Sequence, residues 1–347
     1  MRQKVLVTGA GGYIGSVLVP KLLSLDYAVV ALDRFFFGRD KLREHPRLQI
    51  LQEDNRRIHE ACLEGIDAVI DLAALSNDPA GDAFPAATMQ INHLARVRTA
   101  ALAKQVGAKR YILSSSCSVY GYHAPENMVN EESPINPLTV YAKANAEAEK
   151  GVLNASGTQF CVTAVRLATV FGCSPRMRFD LAVNGMALGA WSKGCISLMR
   201  NGEQWRPLLH VEDAAEAFCN ILEADPGTIN GQIFNIGSEF NNVQLGTLAE
   251  DIARSLPKEP TIEWYGDADH RSYRVDFSKV EALLDWKAKW SAVEGAVQVY
   301  QALEEGRVSN SAETYTINWY KELEHWHNLL KQVGRYGGII DLDPADL

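Results

Sequence analysis

The chain has 347 residues, 47% hydrophobic and 22% charged, with a formal net charge of −9. This composition suits a globular protein with a sizeable core and excludes disordered or fibrous classes. The acidic balance argues against nucleic acid as a main partner, and no apolar run nears the roughly 20 residues that span a bilayer, so no membrane partner is expected.

An apolar strand over 3–8 runs into glycines 9, 12 and 15, and a helical pattern follows over 13–25. Strand, tight turn and helix start in that order read as a dinucleotide-binding turn. Gly9 and Gly12 let the backbone approach a pyrophosphate, Gly15 lets helix and strand pack, and the helix N–H groups beside Tyr13 and Ile14 hold the phosphates. A second strand, 27–33, ends at Asp33, 18 residues past Gly15. A carboxylate there accepts from a free ribose 2′-hydroxyl and repels a 2′-phosphate, which points to NAD rather than NADP, with Arg34 softening the preference. Further strands at 48–52, 66–72, 109–115 and 161–166 alternate with helical patterns at 85–106 and 139–156. The expectation is an α/β fold with a doubly wound parallel, Rossmann-type sheet.

Beyond about residue 172 the rhythm changes. A Pro/Arg segment at 174–178 leads to a helix near 179–191, and a long helical stretch covers roughly 312–332. The helix 211–224 and the strand 232–236 read as returns to the main sheet. Residues 1–172, with returning elements near 206–238, therefore read as the cofactor domain. Residues 173–205 and 239–347 read as a smaller, discontinuous substrate lobe with a helical tail. Six cysteines, at 62, 117, 161, 173, 195 and 219, form no CxxC pair and lie at no metal-ligand spacing from histidine. No metal is expected, and buried thiols in a cytoplasmic protein fit best. The N-terminus enters a strand directly, so no targeting segment is expected.

The strand at 109–115 ends in hydroxyls at Ser114, Ser115 and Ser116, where doubly wound sheets bind ligands. Tyr141 follows 25 residues after Ser116, at the start of a helix. A Ser beside a Tyr facing a nicotinamide is a proton-handling pair for an alcohol hydroxyl. On these residues the chain resembles the extended short-chain dehydrogenases/reductases of the NAD-dependent nucleotide-sugar epimerase/dehydratase family. The matching landmarks are the GxxGxxG turn, Asp33, Asp54, Leu72-Ala73-Ala74 and the Ser116/Tyr141 pair, then segments 166–172, 206–213 and 235–237, and Arg271. They span about residues 3–305.

The resemblance implies NAD as cofactor and a nucleotide-diphosphate sugar as substrate. Asp54 would contact adenine, Ala73 and Ala74 would allow close approach, and Leu72, Asn92, Ser114 and Tyr141 would complete the cofactor site. Arg176, Asn184, Arg206 and Arg271 would grip the substrate's nucleotide diphosphate, with Ser76, Asn77 and Ser118 near the sugar. A homodimer through helices 85–106 and 139–156 is also implied.

Two departures stand out. The family's YxxxK helix reads Tyr141-Ala142-Lys143-Ala144-Asn145, so Asn145 stands where the family lysine binds the ribose and lowers the tyrosine's pKa. Lys143 is about 200° around the helix from Tyr141 and does not substitute. Without a compensating cation, from the nicotinamide or from the second lobe, the tyrosine's pKa rises. That leaves slower redox chemistry, a different proton acceptor, or a cofactor-loaded protein without turnover. Secondly, Cys117 and Ser118 occupy the positions of the dehydratase branch's Asp and Glu. The main reading is an epimerase acting through a transient 4-keto sugar. The alternatives are a dehydratase or 4-dehydrogenase with altered acid/base groups, Cys117 among the catalytic set, and a non-catalytic binding protein. Asp78 is either an acid/base or the cap of the turn at Pro79. His123 and His210 are given no catalytic role.

Overall fold

The computed structural model describes residues 3–124, 127–267 and 272–335. Seven strands form the central sheet: β1 (Lys4–Thr8), β2 (Ala28–Asp33), β3 (Leu48–Gln52), β4 (Ala68–Asp71), β5 (Arg110–Ser116), β6 (Cys161–Leu167) and β7 (Ile233–Ile236). All pairings are parallel, in the order β7-β6-β5-β4-β1-β2-β3. Except on the edge strand β3, their apolar runs are buried on both faces because helices cover both. Alternation along β1 sends Val5 and Val7 into one core and Leu6 into the other. The first core packs under α1 (Gly15–Ser24), and the second under α2 (Arg96–Gln105) and α3 (Val140–Leu153). The direction of winding reverses between β1 and β4, so a crevice opens at their carboxyl ends.

The expected single helix over 85–106 is in three parts. A short turn, Pro85–Thr88, and a π-type segment, Met89–Ala95, precede α2. The wider turns bring Asn92 inward, where its amide accepts from Leu75 N at 2.9 Å and donates to Leu75 O at 3.0 Å. The loop after β4 is thereby pinned from below.

The longer of the remaining helices are α4 (Ala182–Lys193), α5 (Val211–Glu223), α6 (Leu245–Ser255), α7 (Ala292–Glu304) and α8 (Thr316–Arg335). Of these, α5 returns to the main sheet and contributes Phe218 and Ile221 to its core. A separate core forms where α4, α6 and α7 meet, around Met186, Ile196, Ile252 and Val299. Two small sheets complete it: Thr169–Phe171 with Trp205–His210 and Asn242–Gln244, and Cys195–Met199 with Thr261–Tyr265. The sequence pattern indicates short strands and helices mixed up to about residue 290, without bounds for these strands or for α6 and α7. Among the described residues, no helix is long and apolar enough to cross a membrane.

Candidate cofactor and substrate cleft

A cavity of about 1450 Å³ lies along the carboxyl ends of β1, β4 and β5 and extends under α4 and α8. That exceeds the roughly 300–1,000 Å³ of a single-ligand pocket, so there is room for two extended ligands. Gly9, Gly12, Tyr13, Ile14 and Gly15 line one wall. Gly9 has φ +67°, and a Cβ on it would sit 2.8 Å from Ala73 N. A Cβ on Gly15 would sit 2.5 Å from Gly9 O. The turn is closed so tightly on itself and on the β4 loop that only glycine fits at either position. No side chain caps the N-terminus of α1. Ser16 N and Val17 N bond back to Gly12 O and Ile14 O, both at 3.0 Å, so what the glycine turn offers an anion is chiefly the positive dipole end of α1, which fits the pyrophosphate of a dinucleotide.

Asp33 lines the cleft, and its carboxylate accepts from Gly11 N at 3.1 Å and Phe35 N at 2.7 Å. Burial raises its pKa, and those backbone donors hold the rise in check. Asp54 also lines the cleft, but arginine donors surround its carboxylate: Arg56 Nη2 at 2.6 Å and Arg34 Nη1 at 3.3 Å. An adenine amine would have to displace one of them. Arg34 is further held by stacking on Phe36 at 4.1 Å, which turns it from the Asp33 carboxylate's ligand side toward Asp54.

Leu72, Ala73, Ala74, Ser114 and Ser116 all line the floor. Ser116 accepts from Ser118 N at 3.1 Å, and its hydroxyl meets the phenol of Tyr141. Thr139 caps α3, accepting from Ala142 N at 3.1 Å and donating to Asp78. This bond sets the helix start one residue before Tyr141. Close approach at Gly81, where a Cβ would lie 2.8 Å from Tyr141 Cβ, fixes the ring's root. Burial raises the pKa of Tyr141, Arg96 pulls it back and Asp78 pushes it up.

Ser76, Asn77, Ser118 and Arg206 also line the cleft. Ser76 accepts from Arg178 Nη1 at 3.1 Å, and Arg178 grips Asp180 through two bonds of 2.9 Å. Asn77 donates to the same carboxylate at 3.0 Å. Burial alone would raise the pKa of Asp180, but Arg178 and then Arg176 more than offset it, and the carboxyl stays low. Sequence reasoning did not single out Arg178 or Asp180. Their spacing of two residues inside an Arg-rich segment was the available signal.

Several expectations need correction. Cys117 is 1% exposed, donates to Arg166 O at 3.3 Å and does not line the cleft. Burial pushes its pKa well up, the opposite of what an acid/base thiol needs. Asn184 is fully buried, and its amide joins Gly172 N, Tyr13 Oη and Arg178 O, so it welds the two lobes rather than facing the cleft. Asn92 likewise braces the Leu75 backbone outside the cleft. Asn145 is 1% exposed and does not itself line the cleft, but its side chain bonds to the Tyr141 phenol and accepts from Arg96 Nη1.

Arg176 lines the cleft 3.7 Å above the Phe37 ring and donates to Thr316 Oγ1 at 3.0 Å. Burial, and then Arg178, bring its pKa down to about 10. At Pro79 the cap is Asn77, which accepts from Ala80 N at 2.9 Å, rather than Asp78. Lys143 is exposed, as expected. His210 is buried and bonded to Gln298 at 2.9 Å, in keeping with a structural role. Arg271 lies outside the described residues. Among the described residues, no group of three His, Cys, Asp or Glu is placed to hold a metal.

Helix α8 closes the outer wall. Trp319 Nε1 donates to Phe36 O at 2.7 Å, and Tyr320 packs edge-on against Phe37 at 5.6 Å.

Residues 5–237 match the model of the NAD dependent epimerase/dehydratase family. UDP-glucuronic acid decarboxylase 6 of Arabidopsis thaliana is 29% identical over 310 residues, covering 84% of this chain and 86% of the relative. The solved structure of MoeE5 in complex with UDP-glucuronic acid and NAD superposes with a TM-score of 0.77 at 26% identity, over 87% of this chain and 99% of that one. UDP-N-acetylglucosamine 4-epimerase from Methanobrevibacter ruminantium M1 does so with a TM-score of 0.79 at 25% identity, over 88% and 100%.

Proposed function

The chain belongs to the NAD dependent epimerase/dehydratase family, and on that premise we propose that it is a nucleotide-sugar 4-epimerase working through a transient 4-keto sugar. The substrate class is a UDP-linked hexose or hexuronic acid, as named for its similar proteins. The observation that carries the reading is the Tyr141 phenol meeting Ser116 on the cleft floor, beside the uncapped glycine turn.

The glycine turn and α1 would hold the cofactor's pyrophosphate and Asp33 its adenosine ribose. Bound NAD supplies a hydride acceptor and later a donor. With NAD bound, Tyr141 would take the C4-hydroxyl proton and Ser116 would hold that oxygen in line. After the keto sugar turns, Tyr141 would return the proton to the C4 oxygen as the other face is reduced. Arg206 would bind the substrate diphosphate from the second lobe, and Ser76, Asn77 and Ser118 the sugar.

A second reading is favoured by the decarboxylase relatives. Oxidised at C4, a hexuronic acid becomes a β-keto acid and can lose its carboxylate as CO2. Dehydration is less favoured, since buried Cys117 and the Ser118 hydroxyl supply neither acid nor base. We further propose a homodimer through the helical segments over 85–106 and 139–156, where Leu94 is 57% exposed, and a cytoplasmic location suited to six free thiols.

The test is incubation of purified protein with UDP-glucuronic acid, UDP-glucose and UDP-N-acetylglucosamine in deuterated water, followed by mass and NMR analysis. An epimer of unchanged carbon content supports the main reading. A pentose product selects decarboxylation, and an alkene or deoxy-ketone selects dehydration. Turnover of none of them refutes the catalytic reading.

A further inference from the structure

We propose that Arg96 is the cation that tunes Tyr141, standing in from a different helix for the charge missing at position 145. The inference deepens the proposed function, since it rests on Tyr141 as the proton acceptor.

Arg96 opens α2, immediately after the π-type segment. It is 1% exposed, yet it lines the cleft. Its Nε donates to Ala73 O at 3.0 Å, and its Nη1 donates to Asn145 Oδ1 at 2.9 Å. Asn145 Nδ2 in turn donates to Tyr141 O at 3.0 Å. The guanidinium is therefore held by two neutral oxygens, one on the cofactor-side loop and one on the catalytic helix. Among the described residues, no ion pair to a carboxylate neutralises it. A buried charge held only on neutral acceptors keeps its field, and burial weakens the screening of that field.

The other charged groups that face Tyr141 do not supply this charge. Asp78, from the short helix Asp78–Ala83, opposes it. Arg178, from the segment after β6, is clamped by both oxygens of Asp180. Arg96 is the group that pulls the phenol's pKa down most. The neutral residue at 145 also has a direct explanation. A lysine there would place an ammonium against the guanidinium, whereas an asparagine presents its carbonyl to Arg96 and its amide to the helix. Arginine on α2 with asparagine on α3 thus forms a matched exchange of the usual arrangement.

Loop bracing alone would also account for the bond to Ala73, so the test must separate charge from packing. Protein carrying ring-13C tyrosine is titrated by NMR with NAD bound and no sugar present. Tyr141→Phe assigns the signal. Arg96→Gln keeps a donor but removes the charge, and should raise the Tyr141 midpoint by about one pH unit or more. Arg96→Lys should leave it near wild type. The double variant Arg96→Gln with Asn145→Lys moves the charge to the other helix and should return the midpoint toward wild type.

An unmoved midpoint in Arg96→Gln would overturn the proposal. So would a shift in Arg96→Lys as large as that in Arg96→Gln, which indicates packing. If Arg96→Gln does not fold, the other two variants decide: both staying near the wild-type midpoint supports the proposal, and a rise in either overturns it. Because no substrate enters this measurement, an absence of turnover on every UDP-sugar counts against the proposed function and leaves this result intact.

Discussion

Asp33→Asn isolates what one carboxylate contributes to cofactor choice. In the native site both oxygens already accept from backbone N–H groups, of Gly11 at 3.1 Å and Phe35 at 2.7 Å. Their remaining lone pairs face the cleft. The amide variant loses the negative charge and one acceptor, and it turns an NH2 toward one of those two backbone donors. A hydrogen bond to a charged group contributes about 1.5–3 kcal/mol, so NAD affinity should fall by about 10- to 150-fold.

NADP should not benefit. Removing the charge removes the repulsion, but Arg34 remains committed to Asp54 and Phe36. Calorimetric titration of NAD and NADP into nucleotide-stripped protein measures both. Unchanged NAD affinity, or NADP binding tighter than NAD, would refute the reasoning. Acid gives a second check. Burial holds the pKa of Asp33 above its ordinary value, so NAD affinity is full above that raised pKa and lost as pH falls through it, earlier than an exposed aspartate would allow. The sign for the empty fold is opposite. Protonation relieves a buried charge, so this group stabilises the apoprotein at low pH, and that contribution is lost as pH rises through the raised value.

Other outcomes follow from the same geometry. Cys117→Ala should leave turnover of the accepted UDP-sugar unchanged and lower stability by ~1 kcal/mol, read by steady-state kinetics and urea melts; abolished turnover in a folded variant would restore the thiol to the chemistry. Glu149→Gln leaves the Arg166 guanidinium buried without the carboxylate charge that pairs it at 2.7 Å. It should destabilise by about 3–5 kcal/mol in chemical denaturation, and a loss under 1 kcal/mol would contradict the burial argument. Trp319→Phe deletes the bond to Phe36 O while keeping a ring. Losing ~1 kcal/mol from the outer wall should speed NAD release about fivefold in stopped-flow displacement, and an unchanged rate would mean that α8 does not restrain the cofactor.

Local chemistry made much of the cleft legible. The glycine spacing, Asp33 at the end of β2, and serines at the end of β5 each follow from short-range rules: glycine where no Cβ fits, acid where a strand ends, hydroxyls at the carboxyl edge. Errors arose where partners are distant in sequence. Asn92 and Asn184 look like ligand-binding amides as residue types, but their partners sit at 75 and at 13, 172 and 178. Only packing reveals that their polar atoms are already bonded. Arg178 with Asp180 and the bounds of the second lobe's short strands were missed because neither has strong periodicity.

The sequence by itself determined the sheet, the glycine turn and the pairing of Ser116 with Tyr141, because each depends on periods and spacings within a few turns of chain. It also exposed the missing lysine. Whether a cation replaces it was decided only in three dimensions. The π-type turns ahead of α2 rotate Arg96 inward, and the crossing of α2 and α3 brings residues 49 positions apart to within 2.9 Å. Electrostatic fields act through space, and chain order does not record that distance.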